Sequence, residues 1–210
     1  MNIYLIRHGQ TSWNSTKKWQ GTLDISLDEV GISQAEALSE RMESLKLGKV
    51  YTSDLQRASK TAEIVAGSQS KVVPLKELRE IHLGSWEGKT LYEILALDTF
   101  PQWDKDGNGE AHGGESFADA MERIIAAVTK IAENEESDVA IVSHNAVIRL
   151  FICAILGIPL DKRMRITFEN ASLTVVSYEK ETAQFRVITM NDTAHIVCLN
   201  DIKNSNTEDC

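Results

Sequence analysis

Two apolar runs in this chain, residues 2–6 (NIYLI) and 138–143 (DVAIVS), stop at the same kind of place. The first runs out into Arg7, His8 and Gly9, and the second into His144 and Asn145. Neither run alternates apolar with polar residues, and each is too short for a buried helix. Such runs read as strands covered on both faces, the pattern of a parallel sheet with helices above and below. A chain built on two such strands is tightly constrained, because parallel neighbours need crossover helices between them.

The intervening sequence supplies those helices. Residues 26–47 carry Ile32, Ala35, Leu38, Met42 and Leu45 at spacings of three and four. Residues 53–66 open with Ser53 and Gln56 at capping-box spacing. Their stripe is Leu55, Ala58, Ala62 and Val65, which leaves Arg57 off the core face. Residues 115–136 form a long amphipathic pattern, and 145–157 a helix stopped by Gly157 and Pro159. Short strands are expected at 49–53 and 71–75, with a final pair at 171–179 and 184–191 close enough in sequence to be antiparallel. A second capping box is expected at Thr90 and Glu93, over a short helix. Residues 104–114 are a glycine-rich loop.

The expected fold is therefore α/β, a three-layer sandwich with a mostly parallel central sheet, an antiparallel edge and helices on both faces. No repeat or linker divides it, so residues 1–199 are read as one domain with an inserted cap at about 85–115, and 200–210 as a flexible tail.

Composition narrows the function. The formal net charge is −9, which argues against nucleic acid or an anionic membrane as partner. The N-terminal apolar run has no basic segment before it and no small-residue cleavage site, so it does not read as a secretory signal. Cys153, Cys198 and Cys210 fit neither a metal pattern nor a disulfide framework, and a cytoplasmic setting is expected. A monomer and a homodimer are both compatible with the sequence.

If the strands at 2–6, 49–53 and 138–143 are parallel neighbours, Arg7, His8, Arg57 and His144 converge at one edge of the sheet, where ligands of such folds bind. That set suits a phosphomonoester. Two arginine forks match phosphate oxygens, the helix starting at Asn145 adds N–H groups, and an imidazole is a competent nucleophile toward phosphorus. The leaving alcohol needs a proton donor, and Glu77, Glu80 and Glu87 in KELREIHLGSWEG are the candidates.

The ordered motifs LIRHGQTSWN, WQGTLDISLDEVGISQA, YTSDLQRASKTA, LREIHLGSWEG, HGGES and IVSHNAVIR resemble the histidine phosphatase superfamily, which includes the cofactor-dependent phosphoglycerate mutases. The resemblance covers residues 2–157, extended by NASLTVVSY. It implies His8 as the phosphorylated nucleophile, Glu80 as proton donor, and Arg7, Arg57 and His144 around the phosphate. Asn14, Gln20 and Asn145 are implied as pocket residues, flanked by Gln10 and Thr11. It implies no metal and no organic cofactor, and a small-molecule phosphomonoester as the ligand.

SWEG and the shortness of the segment between the arginine-bearing helix and the second histidine favour the small phosphatase branch over a mutase. A non-catalytic phospho-ligand binder is the remaining reading, opposed by the presence of the full set. Trp86, Tyr92, Phe100 and Trp103 are expected to form the cap over the substrate's organic half. His82, His112 and His195 have no partner pattern and are read as structural. DKDGNGE lacks calcium-loop spacing and is read as a turn.

Overall fold

The alternation of side chains along each strand builds the three layers. In the computed structural model, which describes residues 1–97 and 113–196, strand β1 (Asn2–Arg7) turns Ile3 and Leu5 to one face and Tyr4 and Ile6 to the other. Strand β4 (Val139–Ser143) does the same with Val139 and Ile141 against Ala140 and Val142. Helices α2 (Glu29–Met42) and α3 (Gln56–Ala66) cover the Tyr4–Ile6 face through Leu38, Met42, Ala58, Ala62 and Val65. Helices α5 (Phe117–Asn134) and α6 (Asn145–Leu156) cover the opposite face through Ile124, Val128, Ile131, Leu150 and Phe151. Two short helices, α1 (Ser12–Ser15) and α4 (Leu91–Leu95), lie between these elements in sequence.

The sheet has six strands in the order β3-β2-β4-β1-β5-β6, with β2 at Lys49–Thr52, β3 at Lys71–Pro74, β5 at Leu173–Glu179 and β6 at Gln184–Asp192. The first four are mutually parallel. β5 runs antiparallel to β1, and β6 antiparallel to β5. The β1–β4 register pairs Arg7 with Ser143, so His8 and His144 leave the sheet side by side. β2 pairs with β4 on its other side, and the chain then enters α3 and Arg57. The convergence expected from three adjacent parallel strands is thus the observed arrangement. Among the described residues, no helix is long and apolar enough to cross a membrane.

Several local expectations need correction. Ser53 and Gln56 do not form a capping box. Leu55 is the N-cap residue of α3 and gives no side-chain bond. The Gln56 N–H instead goes to Asp24 Oδ1 at 2.7 Å, a cap delivered from another loop. Arg57 is off the apolar stripe but is not solvated; it is fully buried. Trp86 is not part of a cap. It is fully buried in the α5/α6 layer, edge-on to Trp19, while Tyr92 is almost fully exposed. Phe100, Trp103, His112 and the tail 200–210 lie outside the described residues, as does most of the glycine-rich loop. The Thr90–Glu93 box is present as read.

One close approach fixes the loop after β1. A Cβ on Gly9 would meet Gly31 O at 2.4 Å, and a Cβ on Gly31 would meet Gln10 O at 2.1 Å. The loop and the first turn of α2 are pressed together backbone to backbone. Gly31→Ala gains about 1 kcal/mol of helix propensity, whereas overpacking a fitted contact costs about 1–3 kcal/mol. The contact is against backbone, which yields least. Gly31→Ala should therefore lower the unfolding free energy, read as a reduced urea midpoint at unchanged slope; an increased midpoint would refute the tight approach.

Candidate active site

The chain that leaves β1 has no regular ladder to bond to, yet each backbone N–H has a partner. His8 N–H goes to Ser143 O at 3.0 Å, and Gly9 N–H to Thr61 Oγ1 at 3.1 Å. Gln10 N–H goes to Gln34 Oε1 at 2.9 Å, and Thr11 N–H to Asn14 Oδ1 at 3.1 Å. Unmade buried bonds are costly, so this full set holds the loop in one shape. Thr11 and Asn14 cap α1 reciprocally, which fixes the Asn14 side chain.

His8 is buried, and its Nδ1 lies 2.7 Å from Gly9 O. A carbonyl oxygen only accepts, so Nδ1 carries the proton and Nε2 carries the lone pair. Burial holds the imidazole well below its ordinary pKa, and the Arg57 and Arg7 charges add to this. The ring is therefore neutral near pH 7. His144 lies beside it, ring centroids 5.1 Å apart and planes inclined at 59°. It is fully buried, and neither ring nitrogen has a hydrogen-bond partner among the described residues. Burial, then Arg57 and His8, hold it neutral as well. The β1–β4 register thus keeps the two imidazoles adjacent where the strands end.

The two arginines are aimed by backbone carbonyls. Arg57 donates from Nη1 to Leu23 O at 2.7 Å and from Nη2 to Gly21 O at 2.8 Å. Arg7 donates from Nη1 to Phe168 O. Burial lowers both guanidinium pKa values to about 10, partly offset by the Glu80 charge, so both remain cations at neutral pH. No carboxylate bonds to either among the described residues, a costly arrangement for buried charge that an anion relieves.

Glu80 is the carboxylate that joins this set. Its Oε1 accepts Ile81 N–H at 3.0 Å and its Oε2 accepts Ala146 N–H, at the start of α6, at 3.3 Å. The turn before it is pinned: Ser143 Oγ donates to Leu78 O, and Arg123 Nη1 donates to Glu77 O and Arg79 O. The other candidates stand elsewhere. Glu77 is exposed. Glu87 accepts Thr22 N–H, Thr22 Oγ1–H and Leu83 N–H at one oxygen, which ties two loops together.

Arg7, His8, Arg57 and Glu80 line a cavity of about 360 Å³ with Asn14 and Gln20. Asn145 and Ala146 border it at the start of α6. Gln20 Oε1 is buried without a hydrogen-bond partner among the described residues, and Asn145 Oδ1 accepts Phe168 N–H at 3.2 Å. Sequence reasoning missed a further wall residue, Arg149, with Met164 beside it. The available signal was helical spacing, since Arg149 stands four residues after Asn145 on the same helix face. His82 is exposed. His195 is half of a structural bridge, with Nε2 3.0 Å from Ala171 O and Arg41 Nη1 3.2 Å from its Nδ1.

A family profile described as histidine phosphatase superfamily (branch 1) matches residues 3–193. The chain belongs to the histidine phosphatase superfamily. Among its relatives, a protein named probable phosphoglycerate mutase GpmB of Erwinia tasmaniensis is 32% identical over 93% of this chain and 95% of its own. Phosphoserine phosphatase 1 of Hydrogenobacter thermophilus is 29% identical over 93% and 94%. The solved structure of Bacillus stearothermophilus YhfR superposes with a TM-score of 0.86 at 35% identity, covering 93% of this chain and 98% of that one. The fold expected from the sequence and the family expected from its motifs agree with these likenesses.

The imidazole geometry gives a pH test. Unfolded histidine titrates near pH 6.5, whereas His8 and His144 are depressed in the fold. As pH falls through about 6.5 the unfolded chain takes up protons that the native state refuses, so stability falls. Nitrogen-15 NMR at that pH should show His8 neutral with Nδ1 protonated and Nε2 bare. A half-protonated ring, or the opposite tautomer, would contradict the assignment.

Proposed function

We propose that this protein is a phosphomonoesterase acting on small phosphorylated metabolites through a phosphohistidine on His8. The observation that carries the reading is the bare Nε2 of a neutral, buried imidazole, placed in one cavity with two guanidinium cations that no carboxylate bonds among the described residues. The phosphoryl dianion enters between Arg7 and Arg57, whose rigid forks favour its oxygens. His8 Nε2 forms the new bond to phosphorus as the ester oxygen departs in line. The Nδ1–H bond to Gly9 O steadies the ring as it gains positive charge.

Glu80 gives its proton to the departing alkoxide and then, as a carboxylate, takes a proton from the water that attacks the phosphohistidine. Nε2 recovers its lone pair and inorganic phosphate leaves. His144, beside the reacting ring, steadies the phosphoryl oxygens in the transition state, and Asn14, Gln20 and Asn145 line the bound phosphoryl group. The groups named all belong to the polypeptide, and no step uses a metal or an organic cofactor. The relative named as a phosphoserine phosphatase supports hydrolysis as the outcome.

Isomerisation is the second reading, favoured by the mutase name of the Erwinia relative. The two differ in whether the phosphoryl group leaves to water or returns to substrate. With 3-phosphoglycerate, hydrolysis predicts phosphate release that outpaces formation of 2-phosphoglycerate, and the mutase reading predicts the reverse.

Release of nitrophenol from p-nitrophenyl phosphate should persist in chelator, and His8→Ala should remove it. A strict divalent-metal requirement or full activity in His8→Ala would overturn the proposal. Glu80→Gln separates the acid from the rest, since general acid catalysis contributes about 10²–10⁴-fold. Alkyl phosphates should lose roughly 100-fold or more, and the nitrophenyl ester, which needs little protonation, under about tenfold. Equal losses on both would place the proton donor elsewhere.

A further inference from the structure

Arg149 is a buried cation that none of the steps above uses. It stands in the first half of α6, only 8% exposed, and lines the same cavity as His8. Unlike Arg7 and Arg57, it is not aimed by a backbone carbonyl of the described residues. Its single hydrogen bond among the described residues runs from Nη1 to Met164 Sδ at 3.3 Å, and Nε–H is buried without an acceptor. A thioether is a weak acceptor and carries no neutralising charge. A guanidinium has five donors in a fixed fork suited to a planar carboxylate, and here it faces a cavity with that fork almost unused. Glu80 attracts it at longer range, while nearby Arg163 repels it.

Arg149 enters the cavity one turn further along α6 than Asn145 and is near enough to Arg7 for the two charges to repel. Arg7, Asn14 and Arg57 approach the cavity from the end of β1, α1 and the start of α3, and Asn145 from the first residue of α6. Arg149 comes one turn along α6, alongside Met164 of the 160–165 turn and with apolar Phe117 and Leu83 also on the wall. Arg7, Lys18, Arg57 and Arg149 supply four positive charges. A phosphoryl dianion and the Glu80 carboxylate together offset three of them, so one positive charge is left over.

Resting on the hydrolase reading above, we propose that Arg149 binds a carboxylate on the alcohol half of the substrate, making this an esterase selective for phosphorylated carboxylic acids. The residue acts on specificity: it touches the leaving portion and not the phosphorus.

An isosteric pair of esters tests this. 3-Phosphoglycerate and glycerol 3-phosphate share one skeleton and differ in a carboxylate against a hydroxymethyl group. The wild-type protein should favour 3-phosphoglycerate in kcat/KM for phosphate release. Arg149→Gln should collapse that ratio by roughly 10- to 100-fold, the worth of a charge-assisted hydrogen bond, and Arg149→Lys should restore part of it. Since the readout is a ratio within one preparation, a partly misfolded variant still reports it. If Arg149→Gln lowers both substrates by the same factor, Arg149 is a third phosphate ligand or a packing residue and the inference is overturned. The inference also fails if the wild-type protein shows no preference for the carboxylate. If the wild-type protein releases phosphate from neither ester nor from p-nitrophenyl phosphate, the hydrolase reading itself has failed, and this inference with it.

Discussion

The register between β1 and β4 is the constraint on which the rest of the molecule depends. Arg7 opposite Ser143 sets two histidines next to each other at the moment both chains leave the sheet. Side chains alternate between faces with period two, so a slip of one residue would turn Ile3, Leu5, Val139 and Ile141 away from the α5/α6 layer. Burial on both faces makes such a slip expensive, because each buried aliphatic side chain contributes about 1.5–3 kcal/mol. The hydrophobic layers thus hold the imidazoles side by side with ångström-scale accuracy, although the residues are far apart in sequence.

Around that pair the protein concentrates positive charge against its own average. The chain as a whole is acidic, with a formal net charge of −9, yet among the described residues the cavity presents Arg7, Lys18, Arg57 and Arg149 against one carboxylate, Glu80. Keeping guanidinium groups in a low-dielectric site without ion-pair partners is unfavourable for the unliganded fold. The same cost becomes preference for an anion once one enters, since pre-aimed donors need no reorganisation. The carbonyl bonds that hold Arg57 and the Arg123 contacts that pin the turn before Glu80 belong to this preorganisation.

Much of this was legible in the sequence because it depends on period and punctuation. The buried strands, the amphipathic helices and the Gly157 stop are local patterns, and the convergence of His8, His144 and Arg57 follows from them once the strands are taken as neighbours. What was not legible came from distant parts of the chain. The cap of α3 is Asp24, from a loop more than thirty residues earlier. Arg57 lies off the apolar stripe, and spacing could not tell a solvated face from a buried polar pocket. Trp86 reads as a cap aromatic in a polar stretch but packs into the core. Arg149 was hidden inside an apolar helix pattern, where one arginine looks like an exposed position.

The central claim is that phosphorus passes through His8 Nε2 rather than directly to water. The stereochemical course at phosphorus tests it most directly, using an ester whose phosphoryl group is made chiral with oxygen isotopes and an acceptor alcohol to capture the group. Two successive in-line displacements, one by the imidazole and one by the acceptor, give overall retention, which is the predicted result. Overall inversion would mean a single direct displacement and would contradict the account.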